Sequence, residues 1–167
     1  MAVQKFKKDS KVQLTSNFNL SEMDCHCKYP ECKETLVSMT HMRKLQEFRV
    51  KIGKSIEITS GYRCPRYNKE VGGASASRHP QGDATDIQVK DMTPAEVQDK
   101  CEHFDGLGRY KDFTHVDSRG SKARWGIAPS TPETKAKQEY LSDGPSSNDI
   151  NEKLETIEKL VKETRNK

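Results

Sequence analysis

The stretch Ser77-Arg-His-Pro-Gln-Gly-Asp-Ala-Thr-Asp86 decides the fold, because it places two metal-binding side chains where a loop enters a strand. His79 offers an imidazole and Asp86 offers a carboxylate, with the small residues Gly82 and Ala84 between them. Small residues here let the chain enter a strand without a side chain blocking a bound ion. The pattern therefore predicts one half of a metal site.

A second polar cluster, Asp112-Phe-Thr-His-Val-Asp-Ser-Arg119, follows further along the chain and supplies a candidate third donor, His115. Zinc binds nitrogen and oxygen donors in a tetrahedron, and catalytic zinc sites leave the fourth position to water or substrate. His79, Asp86 and His115 together predict such an open site. The spacing alone leaves the ordinary alternative standing, since most histidines in loops bind no metal.

Four further residues are expected to act around these donors. Asp112, three residues before His115, is expected to accept a proton from water and pass it to the leaving amine. Arg63 is expected to be a fixed cation for a substrate carboxylate or a developing oxyanion. Asp117 is expected to orient a ligand or Arg119. The plainer alternatives are a surface ion pair for Arg63 and a turn residue for Asp112.

The composition indicates a small core and a very polar surface. Hydrophobic residues make up 32% of the 167 residues, the mean hydropathy is −0.95 and the net charge is +4. This length predicts one domain with an appendage. No block of lysine and arginine with interleaved aromatic residues indicates a nucleic-acid groove. The mild basic charge suits an ordinary solvated surface or attraction to an anionic polymer such as a bacterial cell wall.

The N-terminal residues Met1–Lys8 contain no apolar stretch after their charges, so no signal peptide is expected. No apolar run approaches the length of a membrane span, so no membrane partner is expected either. We therefore expect a protein that stays in the cytoplasm where it is made unless another agent releases it.

Hydrophobic periodicity predicts both helices and strands along the chain. A helical stripe begins near Leu36 and ends at Gly53, and His41 lies off that stripe, where solvent is expected. A second helix is expected to start in a capping box at Thr93 and to run to about residue 104. Alternating residues predict strands at 55–60, 84–89, 106–110 and 113–117.

The predicted domain covers residues 17–128 and is flanked by segments of different composition. Residues 1–16 form a lysine-rich N-terminal arm, and residues 129–147 read as a linker. Residues 148–167 carry apolar side chains at steps of four, three and four, which predicts an amphipathic helix. This helix is too short for a stable solitary coiled coil. It is expected to dock on the domain or on a partner rather than on a copy of itself.

The odd number of cysteines, five, includes a compact trio after the first predicted helical turn. Cys-x-Cys followed by another cysteine is close enough to bind a metal, but a zinc site needs a further donor. The sequence leaves open a structured loop with free or paired thiols and a second, structural zinc, and favours the loop. The trio and the only donors that could complete it are Cys25, Cys27, Cys32, His26, His41 and Cys64.

The ordered set of motifs resembles the zinc peptidases of the M15 family. More narrowly, it resembles the D-alanyl-D-alanine carboxypeptidase-like branch that is common among bacteriophage cell-wall lysins. The resemblance covers roughly residues 17–126, including the cysteine-rich lead-in after Ser21-Glu22 and the ending Ala123-Arg-Trp-Gly126. The motifs are Ser60-Gly-Tyr-Arg63, Tyr67-Asn68 with Val71-Gly-Gly73, Ser77-x-His79-x-x-Gly82-x-Ala84-x-Asp86 and His115-Val-Asp-x-Arg-Gly120.

The resemblance implies an α+β fold with a small antiparallel sheet flanked by helices. It also implies Zn2+ bound by the two histidines and Asp86, and a peptide bond of peptidoglycan as the target. It places Asp112 and Arg63 in catalysis, and Ser77, Asp117 and Arg119 around the ligands. The family often has Glu three residues before the last ligand and an aromatic residue directly before it. Here the shorter Asp112 and Thr114 stand at those positions.

The resemblance also implies a place of action, namely an endolysin in the host cytoplasm that reaches the cell wall after release, or a virion-associated lysin. Its partners would be peptidoglycan stem peptides. The alternative class is a noncatalytic wall-binding module with the same fold, and retention of the three ligands, Arg63 and Asp112 argues against it. The resemblance leaves open whether the bond is a terminal D-Ala-D-Ala bond, L-Ala-D-Glu or a cross-link.

Overall fold

Nine strands and four α-helices follow one another along residues 3–126, the part of the chain that the computed structural model describes. The predicted linker and C-terminal helix lie outside these residues. The strands are β1 Val3–Lys7, β2 Gln13–Thr15, β3 Phe18–Asn19, β4 Glu34–Ser38, β5 Ile56–Ser60, β6 Ala84–Val89, β7 Gly106–Arg109, β8 Thr114–Asp117 and β9 Ala123–Gly126. The helices are α1 Leu20–Met23, α2 Met39–Ile52, α3 Pro65–Glu70 and α4 Pro94–Lys100.

The long helix α2 forms where the apolar stripe predicted it. Met42, Leu45 and Phe48 are fully buried on one face. The Ser38 hydroxyl accepts a hydrogen bond from the backbone N–H of His41 at the first turn, and Gly53 ends the helix in the left-handed conformation. The predicted start at Leu36 is too early, because residues 34–38 form β4.

The helix α4 begins as its sequence predicts and ends earlier. The Thr93 side chain accepts from the N–H of Glu96, and the Glu96 side chain accepts from the N–H of Thr93, so the capping box is present. The helix stops at Lys100, although Val97, Cys101 and Phe104 are all buried as expected. No helix among residues 3–126 is long and apolar enough to cross a membrane.

The main sheet has five strands in the order β5-β6-β8-β7-β9. Neighbouring strands run antiparallel except β7 and β9, which are parallel. The predicted α+β class is confirmed, and the sheet is mixed rather than purely antiparallel. Two small antiparallel pairs, β1 with β4 and β2 with β3, accompany it. Residues 3–7 of the predicted N-terminal arm are therefore a strand.

The two faces of the main sheet have different characters, since successive side chains in a strand point to opposite sides. Thr85, Ile87 and Val89 of β6 face the core, where Ile87 and Val89 pack with apolar residues of α2 and α4. Val116 of β8 lies on the same side. The polar residues between them, including Asp86, are left to the opposite face. That face holds the candidate site.

Candidate metal centre

Three donor atoms from distant parts of the chain meet on the polar face of the sheet. The Nδ1 atom of His115 lies 2.9 Å from Oδ1 of Asp86, and Nε2 of His79 lies 3.2 Å from that same oxygen. The two histidine nitrogens are 3.2 Å apart. All three side chains are buried. The structure thus brings together the residues that the spacing predicted as ligands.

Strand register explains why Asp86 and His115 meet. They are directly opposite each other in the antiparallel pair of β6 and β8, and side chains of opposite residues lie on the same face within a few ångströms. The pairing of Ser60 with Asp86 brings the end of β5 to the same place. Three adjacent strands, β5, β6 and β8, therefore supply the floor of the site.

His79 reaches this floor from a short 3-10 turn, His79–Gln81, that ends at Gly82. Gly82 has a φ of +74°, and a Cβ atom there would lie 2.4 Å from the carbonyl oxygen of Leu36. The Gly82 carbonyl accepts a 2.7 Å hydrogen bond from the N–H of Ser38. Only glycine fits this tight approach to β4, which sets the direction from which His79 enters.

Each imidazole is oriented by a hydrogen bond from the nitrogen that faces away from the other donors. Nδ1 of His79 donates to the carbonyl oxygen of Gly61 at 2.6 Å. Nε2 of His115 donates to Oδ2 of Asp117 at 3.2 Å. In each neutral imidazole this bond places the proton on the outer nitrogen, so that the inner nitrogen is free to bind a metal ion. The predicted orienting role of Asp117 is thus carried by its Oδ2 atom. The corresponding role of the Gly61 carbonyl could not be predicted, because nothing in the sequence marks a backbone carbonyl.

The carboxylate of Asp117 is itself held in place by its neighbours. It is fully buried, and Nε of Arg119 donates to its Oδ1 at 2.8 Å. Gly106 stands opposite Asp117 in the sheet, and a Cβ atom there would lie 2.0 Å from Oδ2. The glycine therefore makes room for the carboxylate that orients His115.

The charges around the ligands favour an ionised carboxylate and a basic imidazole. Burial opposes ionisation of Asp86, but hydrogen bonds from His115 and His79 hold its pKa well below the usual range. Burial likewise opposes the charge on His115, yet hydrogen bonds to Asp117 and Asp86 raise its pKa. The pKa of Asp117 is low because His115 and Arg119 outweigh its burial.

Arg63 lies at the edge of the centre and contacts a ligand directly. Its Nη2 pairs with Oδ2 of Asp86, the oxygen that points away from the histidines. Its Nε donates to the Ser60 hydroxyl at 2.8 Å. The predicted fixed cation is therefore next to the site, held by an ion pair and a hydrogen bond.

The centre opens into a cleft of about 630 Å³. Arg63, Arg78 and Arg119 line the cleft, whereas Asp86 is the one carboxylate among its lining residues in the part of the chain described. Ser77 lines it too, but within residues 3–126 it makes no hydrogen bond to the three ligands. Each of these arginines also pairs with a buried carboxylate of the chain, Asp86, Asp83 or Asp117 respectively, so the cleft presents guanidinium donors rather than unpaired positive charge.

Aromatic side chains form one wall of this cleft, and sequence reasoning missed them. Tyr110 and Phe113 stack with ring centroids 4.4 Å apart. Trp125 lies against His115 at 5.2 Å and donates through its indole N–H to the Tyr110 hydroxyl at 3.0 Å. Phe113 could have been found from its position two residues before His115, since such residues share a face of a strand.

Asp112 is not among the residues that line this cleft, and its role as proton acceptor stays a prediction. It lies in a bend before β8, which begins at Thr114. It is exposed and lines a separate cavity with Gln88, whose side-chain amide donates to the Asp112 carbonyl at 2.9 Å.

The prediction for His41 is wrong, because it is fully buried instead of solvated. Its Nδ1 lies 3.0 Å from the Ser118 hydroxyl and its Nε2 lies 3.1 Å from the Thr85 hydroxyl. Burial lowers its pKa to about 3, which keeps the imidazole neutral. His41 thus ties α2 to the core side of the strands that carry the ligands.

The donor set fits zinc. Donors around a tetrahedral zinc with bonds of about 2.0–2.1 Å are separated by about 3.3 Å, close to the separations of 2.9 Å and 3.2 Å in the structure. Two neutral imidazoles and one carboxylate are ligands that zinc accepts. The three residues also form one of two groups in residues 3–126 whose geometry could hold a metal ion.

Comparison with known proteins adds one finding. The family model described as Peptidase M15 matches residues 16–117, well over half of the chain. The match contains all three candidate ligands together with Arg63 and Asp117. No curated protein matches the chain significantly.

Proposed function

The chain belongs to the peptidase M15 family, and from this premise we propose that it is a zinc peptidase that hydrolyses peptide bonds of bacterial peptidoglycan. Membership implies a metallopeptidase. The observation that carries the proposal is the convergence of His79, Asp86 and His115 at 2.9–3.2 Å on the floor of an open cleft. Three protein donors leave one position for water or substrate, which is typical of catalytic zinc sites.

Zinc bound by these ligands supplies Lewis acidity, which lowers the pKa of water toward neutrality and polarises a carbonyl. The chain supplies the orientation of the ligands. The Gly61 carbonyl and Asp117 hold the two imidazoles, and Arg63 holds the outer oxygen of Asp86. Such outer contacts keep donors aimed at one point without rearrangement.

The cleft favours an anionic peptide. Arg63, Arg78 and Arg119 line it, and peptidoglycan stem peptides carry carboxylates on their side chains and chain ends. Arginine presents a planar set of donors that binds a carboxylate through two parallel hydrogen bonds. The aromatic wall around Trp125 excludes water from one side, which strengthens these contacts. We assign Arg63 and Arg119 to binding of the substrate carboxylate.

The resemblance to the D-alanyl-D-alanine carboxypeptidase-like branch extends this proposal to the bond that is cleaved and to the biological setting. A D-Ala-D-Ala carboxypeptidase would use Arg63 to hold the terminal carboxylate, and an endopeptidase would lay a longer peptide along the cleft. A bacteriophage endolysin acting after release from the host cytoplasm, or a virion-associated lysin, is the biological setting we propose. The predicted C-terminal helix would then be a docking element.

One observation favours a noncatalytic wall-binding module as the second candidate. Among residues 3–126, Asp86 is the only carboxylate lining the cleft, and Arg63 already pairs with it. Asp112, the predicted proton acceptor, lines another cavity. An enzyme with this cleft must pass the proton through solvent or through a group on the substrate, whereas a binding module needs no acceptor.

Digestion of purified peptidoglycan decides between the two candidates. Zinc-loaded wild-type protein, His115→Ala and the control His103→Ala are incubated with it, and the fragments are analysed by mass spectrometry. The peptidase proposal predicts new termini with wild type and His103→Ala but none with His115→Ala. Free D-alanine would identify the carboxypeptidase, and new internal amino termini would identify the endopeptidase. Binding to peptidoglycan without new termini would support the module instead.

A further inference from the structure

A second group of metal-binding side chains lies outside the cleft and consists of four of the five cysteines. Cys25, Cys27 and Cys32 come from the loop after α1, and Cys64 follows Arg63 directly before α3. One sulfur from each lies within 4.8 Å of the others. The trio that was incomplete in the sequence therefore gains its fourth donor from Cys64, which is far away along the chain.

The sulfur separations match coordination to a metal and not a disulfide. The Sγ atoms of Cys64 and Cys27 are 3.8 Å apart, and none of the cysteines in the structure is bonded to another. Sulfurs bound to tetrahedral zinc at about 2.3 Å are separated by about 3.8 Å. A disulfide bond is only about 2.05 Å long. We propose that these four cysteines bind a structural zinc ion, separate from the His–Asp–His centre.

The surroundings of the cluster suit a bound cation. Cys25 and Cys27 are buried, with Tyr62 packed against them. Burial raises the pKa of the Cys25 thiol, and it raises that of Cys32 as well. A divalent ion binds cysteine as the thiolate, so it would replace the thiol protons of its ligands on binding.

Backbone N–H groups already donate to the sulfur of Cys25, as they do to sulfur ligands in structural zinc sites. The N–H of Cys64 donates to the sulfur of Cys25 at 3.3 Å. The ammonium of Lys8 donates to the Cys27 carbonyl at 2.8 Å and places one positive charge beside the cluster. Four protein ligands leave no position for water, so the site is closed and its role is structural.

The site would fix a segment that leads into the cleft. Tyr62 donates its backbone N–H to the carbonyl of Met23 at 2.8 Å, so the loop after α1 and the chain before α3 are already adjacent. A zinc ion shared by both would fix the backbone of Cys64. Its neighbour Arg63 pairs with the ligand Asp86. The structural site would thereby position Arg63 without touching substrate.

The inference does not rest on the proposed function, because its test measures metal and sulfur and not peptidase activity. Purified full-length chain is analysed for bound metals by plasma mass spectrometry and for zinc ligands by X-ray absorption. We expect two zinc ions per wild-type chain and one in His115→Ala, with an all-sulfur shell at about 2.3 Å in that variant.

A matched pair of cysteine variants identifies the ligands. Cys32→Ala removes a partly exposed member of the cluster and should lower the zinc content by one ion, whereas Cys101→Ala removes the fifth, buried cysteine and should leave two. Thiol-blocking reagent should release the second zinc in wild type. If Cys32→Ala does not fold, the wild-type spectrum still decides.

Three outcomes would overturn the proposal. The first is a single zinc per wild-type chain with no sulfur in its shell. The second is an intact mass that lacks the hydrogens of four thiols, which would show disulfides among these cysteines. The third is iron with sulfur ligands in place of zinc.

Discussion

Residues 3–126 hold two clusters of metal donors with opposite designs, and the contrast shows how the surroundings of a cluster set the role that a bound metal would have. His79, Asp86 and His115 meet on the polar face of a five-stranded sheet and open into a cleft. The cysteine cluster meets on loops and is packed against Tyr62. Three donors with an open side suit chemistry on a substrate, whereas four soft sulfur donors suit a permanent link between loops.

The backbone elements that carry the two clusters also differ. The histidine centre takes its geometry from paired strands, with Asp86 opposite His115 in register, so its donors stay in place with or without an ion. The cysteine cluster depends on two loops that are not joined to each other as paired strands of a sheet. The first cluster is therefore expected to lose and regain its metal easily, and the second to lose its fold with its metal.

Chelation should give the largest contrast between the clusters. Titration with a chelator is expected to abolish peptidoglycan hydrolysis while one zinc ion per chain remains, because the four-sulfur site is closed and the three-donor site keeps an open position. One equivalent of Zn2+ should restore hydrolysis. Activity assays and metal analysis on the same samples check this. Loss of both ions at the same chelator concentration would contradict the expected difference in zinc retention between the two clusters.

Asp117→Asn is expected to weaken zinc binding or hydrolysis by about 10- to 100-fold, the usual cost of removing an outer partner of a histidine ligand. The amide cannot take over the charge that orients His115, and it removes the partner of Arg119. Zinc affinity measured by competition with a chromophoric chelator tests this. The control Asp99→Asn, at an exposed position of α4, should bind zinc like wild type. Equal affinities would show that Asp117 only packs.

Cys32→Ala is expected to act on stability more than on turnover. Loss of a structural ion worth about 3 kcal/mol would lower Tm by roughly 10 °C, while hydrolysis at low temperature falls only a few-fold through displacement of Arg63. Thermal unfolding and initial rates measure the two effects. Cys101→Ala controls for loss of a thiol. A variant that keeps its Tm but loses all activity would place the cysteine cluster in the chemistry instead.

Asp112→Asn should have the smallest effect, with turnover within about two-fold of wild type. Asp112 lines a cavity separate from the cleft that holds the ligands, and an exposed substitution of this kind changes stability little. Initial rates across neutral pH check the expectation. A loss of several orders of magnitude with zinc retained would restore Asp112 as the proton acceptor.

Much of the fold followed from local patterns in the sequence. The Met-rich stripe and Gly53 predicted α2, the Thr93 capping box predicted the start of α4, and residues 84–89 form the predicted strand without change. These features depend on neighbours along the chain. Periodicity and capping are local physics, so a single sequence reveals them.

The predictions that were wrong or left open depend on contacts between distant segments of the chain. His41 is off the apolar stripe, yet hydroxyls of Thr85 and Ser118 satisfy it in the core. Cys64 was one of three donors that could complete the cysteine trio, and only the contact between the loop after α1 and the chain before α3 selects it.

The most direct test of the account is an anomalous difference map from crystals of the full-length chain grown with zinc, with data collected at the zinc edge. The account predicts two strong peaks. One lies between Nε2 of His79, Oδ1 of Asp86 and Nδ1 of His115, and the other lies among the sulfurs of the four clustered cysteines. A map without a peak at the histidine centre would contradict the central claim that the chain is a zinc peptidase.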